Sequence, residues 1–215
     1  MVLVSAAVLP SPRLRRLIQL LFGLVLFGVS LAMLVSADLG LDPWDVLHQG
    51  IARTSGIRLG VVVVATSLTV LTLWLPLKQR PGIGTISNAV LVGVVFEATI
   101  ALLAEPSSLI WRWILLAAAI TLNAIGTGLY VGAGLGPGPR DGLMTGIAGR
   151  GYPIRRVRTG IEVAVLAAGW LLGGSVGLGT VAFALAIGPL VHITLPLFTI
   201  ATTPTPIPAP TKEPA

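Results

Sequence analysis

Six stretches of the chain run for about 20 residues with almost no polar interruption, where the helices of a water-soluble protein would show a continuous polar face. They cover 14–36, 59–77, 83–104, 110–131, 157–174 and 179–200. Each is long enough to cross roughly 30 Å of hydrocarbon as a helix. The run "GVVVVATSLTV" in the second would suit a strand in water, but an unpaired strand in lipid leaves its backbone groups unsatisfied, so helix is expected there too. Composition agrees: 54% of the 215 residues are hydrophobic and 10% charged, against roughly a quarter charged in soluble domains. The pattern predicts an all-α, polytopic membrane helix bundle of six spans.

Charge then sets an orientation. The net charge of +6 would fit a nucleic-acid binder only if Lys and Arg shared one solvated surface, and instead they are spread between the spans. Eleven lie on one side: Arg13, Arg15, Arg16, Lys78, Arg80, Arg140, Arg150, Arg155, Arg156, Arg158 and Lys212. Three, Arg53, Arg58 and Arg112, lie on the other. The positive-inside rule places both termini in the cytoplasm of a cell membrane, and no nucleic-acid partner is expected. The order at the start, apolar then basic, is the reverse of a cleavable signal peptide, so residues 1–13 are expected to form a cytoplasmic segment. The Pro-rich 201–215 reads as an extended or disordered cytoplasmic tail.

Two polar islands interrupt the apolar pattern. "LGLDPWDVLHQG" at 39–50 and "LGPGPRDGLMTG" at 135–146 share the skeleton L-G-x-x-P-x-D-x-L-x-x-G at an offset of 96. Further on, "RPGIGT" and "SVGLGT" align at an offset of 95. Each copy holds three spans, an odd number, so the second enters the membrane from the opposite side. The expectation is two inverted three-helix repeats, 14–104 and 110–200, each with a short extra helix at its island, as in several transporter folds. These paired islands, each followed by a span and then "GIGT" or "GLGT", resemble the YczE/YyaS/YitT-type bacterial membrane proteins over roughly residues 14–200. The resemblance implies a bacterial integral membrane protein and transfers no catalytic or ligand residues.

Locally, each island reads as a helix start. Asp42 is a candidate N-cap, with Pro43 at the first helical position and Asp45 at the third; Gly138, Pro139 and Asp141 take the same places in the second copy. In the first copy Trp44, Leu47 and Ile51 share one face while Asp45, His48, Gln49 and Arg53 point elsewhere. Two readings stay open: an interfacial amphipathic helix with Trp44 at headgroup level, or a re-entrant half-helix beginning inside the bundle near a substrate path.

Glu97 and His192 lie within spans three and six at equivalent positions, and ionisable groups at depth usually face a partner or a wet cavity. With Asp42, Asp45, His48 and Asp141 they form the candidate substrate or ion path. Glu162 is expected to pair with Arg158, and Asn88 and Asn123 to act as interhelical glue. "GLYVG" and "GWLLG" read as close-packing seams. No cysteine, metal-ligand cluster, P-loop or nucleophile elbow occurs, so no metal site, cofactor or enzymatic activity is expected, and the prolines and missing βα context of "GAGLGPG" exclude a dinucleotide loop. The leading expectation is a transporter or permease-like protein for a small molecule or ion. The alternative is a non-transporting scaffold or accessory subunit, and a homo-oligomer or membrane partner is compatible with either.

Overall fold

The computed structural model describes residues 12–104 and 106–201, and these contain nine helices and no strand. They are α1 (Arg13–Ala37), α2 (Pro43–Ser55), α3 (Leu59–Thr72), α4 (Trp74–Leu77), α5 (Ile83–Ile100), α6 (Leu109–Gly132), α7 (Pro139–Ala148), α8 (Ile154–Leu171) and α9 (Leu178–Phe198). The chain is a polytopic bundle of apolar helices. The segments 1–11 and 202–215, most of the expected cytoplasmic N-terminal segment and tail, lie outside the described residues.

Among the described residues, five helical runs are long and apolar enough to cross a membrane: α1, α3 with α4, α5, α6 and α9. The expected sixth span is α8, which does not join that group: it is 18 residues long, and Arg155, Arg156, Arg158 and Glu162 crowd its first half. The expected helix 59–77 breaks at Leu73, because Pro76 has no N–H to return to the carbonyl of Thr72.

The antiparallel pair α1 and α6 forms the centre, with α5 against α1 and α9 against α6. Glycine permits this contact: a Cβ on Gly23 would lie 2.6 Å from the Tyr130 nitrogen, and one on Gly126 would lie 2.8 Å from the Phe27 nitrogen. Lipid tails are as apolar as leucine, so close backbone packing and interhelical hydrogen bonds hold such a pair together. Asn123 supplies one of these by donating to Ser30 Oγ at 3.0 Å. The "GLYVG" seam packs on α9, where Gly132 meets the Phe198 carbonyl; in "GWLLG" Gly169 packs on α2, while a Cβ on Gly173 would meet nothing within 4 Å.

The island loops are held reciprocally. Gly84 N–H donates to the Leu135 carbonyl at 2.8 Å, and Gly179 N–H donates to the Leu39 carbonyl at 2.7 Å. Gly40 and Gly136 turn at φ of +108° and +122°, a region open to glycine, and each sits where a Cβ would lie 2.7 Å from the Oγ1 of Thr180 or Thr85 respectively. In each "GxGT" motif the threonine Oγ1 accepts the N–H of the first glycine at 3.2 Å, from Gly82 to Thr85 and from Gly177 to Thr180. Each island loop is thus clamped by the start of the last helix of the other half.

Candidate functional site

The island helices begin inside the bundle. Arg16 donates to the Ala133 carbonyl at 2.7 Å at one end of the α1–α6 pair, and Arg112 pairs with Asp38 at 2.9 Å at the other. About 22 residues of helix, about 33 Å, separate those ends. Asp42 is four residues from Asp38 and Arg140 seven from Ala133, extended reaches of about 14 and 24 Å. Yet Arg140 Nη1 lies 3.6 Å from Asp42 Oδ1. Both segments must turn inward from opposite ends to meet. Two helices lying at opposite ends of the α1–α6 pair would leave the islands about 30 Å apart; here both starts lie inside the bundle.

Local chemistry builds each start as the pattern predicts. Asp42 Oδ1 accepts the N–H groups of Trp44 at 2.8 Å and Asp45 at 3.0 Å, with Pro43 opening α2. In α7 Gly138 has no side chain to cap with, and another residue fixes the start: Trp74 of α4 donates its indole N–H to the Pro139 carbonyl at 3.0 Å and packs its ring on Gly142.

The polar face of α2 differs from its amphipathic reading. Asp45 and His48 are each 2% exposed, with His48 Nδ1 2.9 Å from Asp45 Oδ1. Trp44, one of the readings for which was headgroup level, is buried too. Both faces of the helix start are covered because it is wedged between α3 and α8. Asp45 Oδ2 and Trp44 Nε1 are buried without a hydrogen-bond partner.

At the meeting point stands Arg140. Its guanidinium carbon lies 5.5 Å from the Trp44 ring and 6.0 Å from the Phe27 ring, cation–π distances. The charges of Asp42, Asp45 and Asp141 all act on it. Asp141 in turn accepts a hydrogen bond from the Tyr130 hydroxyl at 3.0 Å. Four of the six expected site residues, Asp42, Asp45, His48 and Asp141, therefore gather around one arginine that the charge pattern assigned to a cytoplasmic loop. One signal in the sequence pointed to it: at the offset of 96, Arg140 takes the place of Trp44 beside the paired Asp45 and Asp141. Tyr130 had no such signal.

The other two lie elsewhere. α5 ends at Ile100, so Glu97 occupies its last turn, and its Oε2 accepts the Gly60 N–H at 2.8 Å. A carboxylate there caps the start of α3 and meets the positive end of its dipole. His192 is exposed on the outward face of α9. The structure brings neither to the island cluster, nor the two to each other.

A cavity of about 620 Å³ opens beside Arg140. Asp42, Trp44, Arg140 and Asp141 line it from the islands, Phe27, Asn88, Asn123 and Tyr130 from the spans around α1 and α6, and Phe183, Ile187, Val191 and Leu195 from α9. Arg158 and Glu162, paired at 2.9 Å as expected, form its α8 wall. The cavity thus lies between α8 and α9, which do not pack on each other; α8 rests on α2 and α7. The corresponding helices of the first half, α3 and α5, are tightly joined: a Cβ on Gly93 would lie 2.6 Å from the Gly60 carbonyl and 2.5 Å from Val64 Cγ2.

Known proteins give this architecture a family. An "Uncharacterized membrane protein YczE" of Bacillus subtilis is 36% identical over 172 residues, covering 79% of this chain and 80% of its own length. An "Uncharacterized protein" of Haemophilus influenzae is 42% identical over 177 residues, covering 82% and 81%. No solved structure matches. A model for a family of unknown function, DUF6198, matches residues 14–196, a stretch holding both islands and nearly all the described helices. The chain accordingly belongs to that family, the multi-pass membrane proteins of YczE type.

Proposed function

We propose that this protein is a small-molecule transporter whose site is the cavity between the two island starts, and which works by exchanging the packing of its two halves. Its six spans, counting α8, form two inverted repeats, with both termini in the cytoplasm. The single observation that carries the proposal is an asymmetry. α3 and α5 are joined at Gly60 and Gly93, whereas their counterparts α8 and α9 stand apart with the cavity between them. Gly160 and Gly188, at the positions that correspond to Val64 and Gly93, meet nothing within 4 Å. In a chain whose halves are built alike, a comparable approach is open to the second half through Gly160 and Gly188, although Arg156 stands where the first half has Gly60. The reciprocal bonds Gly84 to Leu135 and Gly179 to Leu39 support the pseudo-symmetry that this requires. Helix starts meeting inside a bundle beside a cavity are the arrangement in which transporters hold cargo.

Accessibility of the cavity from the two membrane faces tests this without knowing the cargo. Ala184 lines the cavity and is exposed, and the chain has no cysteine of its own. An Ala184→Cys variant in oriented vesicles should react with an impermeant thiol reagent applied from either face. Reaction from one face only, under all conditions, would sink the alternating mechanism and favour the fixed scaffold.

A further inference from the structure

Arg140 is built to hold something outside the protein. It is an arginine inside the bundle, set between aromatic rings, and among the described residues it donates no hydrogen bond; its nearest acidic oxygen, Asp42 Oδ1, is 3.6 Å away. The 23% of its side chain that remains accessible borders the cavity. A guanidinium has five donors in a planar fork that matches a carboxylate. Leaving such donors empty in a low-dielectric interior is costly, so an acceptor is expected there.

A simple anion fits the surroundings poorly. The cavity wall carries Asp42, Asp141 and Glu162 against Arg140 and Arg158, with Asp45 buried behind. Adding one negative charge increases an existing excess of negative groups. A simple cation would match that excess but leave the guanidinium donors unmet. A ligand with both charges satisfies both sides: its carboxylate on Arg140, its ammonium on the Asp141 carboxylate, one oxygen of which is occupied by the Tyr130 hydroxyl. The α9 wall is apolar, with Phe183, Ile187, Val191 and Leu195. It suits an apolar substituent, and the volume falls in the range of small-molecule pockets.

We propose that the cavity binds a small zwitterion with an apolar substituent, the chemistry of an aliphatic α-amino acid, with Arg140 as the carboxylate anchor and Asp141 as the ammonium anchor. This rests on the reading of the cavity as the cargo site. The probes are L-leucine and its two halves, isocaproate, which lacks the ammonium, and isoamylamine, which lacks the carboxylate. Thermal unfolding of the purified full chain in detergent should show leucine raising Tm by about 5 °C at saturating concentration, with neither half reproducing it. Arg140→Lys keeps the charge but loses the fork, and Asp141→Asn keeps the shape but loses the charge; each should lose most of the response while retaining helical content. Leucine without effect on the wild type would overturn the proposal. A full response to isocaproate alone, or to isoamylamine alone, would overturn it equally, in favour of an anion or a cation site. The two proposals fail separately: Ala184→Cys labelling from both faces without leucine binding removes the ligand class and leaves alternation, while leucine binding with one-face labelling removes alternation and leaves the site.

Discussion

The two halves of this protein start from similar sequence and arrive at different packing. In the first, α3 and α5 close on each other at Gly60 and Gly93, and Glu97 ties the start of α3 to the end of α5. In the second, α8 and α9 stand apart, Gly160 and Gly188 face open space, and His192 points outward. The islands differ in the same way. The first offers carboxylates, Asp42 and Asp45, capped on themselves; the second offers the cation, Arg140, in the place where the first has Trp44. The two islands share a skeleton, and where the first has Trp44 the second has Arg140, so the cation of the cluster comes from one island and Asp42 and Asp45 from the other.

The most damaging way to break this pairing is to remove its cation. Arg140→Met leaves Asp42, Asp45 and Asp141 without the charge that compensates them, and taking one partner from a buried ionic group costs about 3–5 kcal/mol. Denaturant or thermal unfolding in detergent should show that loss, far more than Trp44→Phe at the equivalent place in the first half. A loss under about 1 kcal/mol would mean that the carboxylates carry little charge in the bundle.

Smaller effects separate the closed half from the open one. Gly93→Val drives a side chain into the Gly60 carbonyl and Val64, and overpacking of that kind costs about 1–3 kcal/mol. Gly188→Val has room on every side in this conformer and should stay within about 0.5 kcal/mol. If the two glycines prove equally sensitive, the α8–α9 gap is not the resting state. Smallest is the pair Glu97 and His192. Glu97→Ala removes the hydrogen bond to Gly60 and should lower stability by about 0.5–1.5 kcal/mol, whereas His192→Ala, with no packed neighbour to lose, should be close to neutral. A larger effect at His192 would support the proposed conformer in which α8 and α9 are joined.

Much of this was legible from the chain alone. Apolar runs placed α1, α5, α6 and α9 to within a few residues, since length and hydropathy decide what can cross a bilayer. Pro and Asp marked the island starts, and the Arg158–Glu162 pair follows from spacing; Asn123 was expected to join helices, while its partner Ser30 had no signal. Other features were not legible. The Pro76 break lies inside a stretch whose average hydropathy hides it, and α8 begins three residues before the expected stretch and so takes in Arg155 and Arg156. The surroundings of the polar side of α2 stayed open between a membrane interface and the bundle interior, because periodicity tells which residues share a side and not what covers it. Glu97 looked deep because α5 was expected to run four residues further than it does.

Sequence by itself determined the solvent and the units: apolar segments that must be helices in lipid, and two copies of a polar island whose Pro and Asp must start short helices. These are local consequences of backbone hydrogen bonding and charge cost, completed at the second island by the indole of Trp74, which donates to the Pro139 carbonyl. Only the tertiary structure decided that the two islands meet, that Arg140 leaves its loop to stand beside Asp42, and that one half is closed while the other is open. Those facts depend on how far each loop turns inward onto the start of α5 or α9, contacts that join residues about 50 and 140 positions apart in the chain, which no local pattern records.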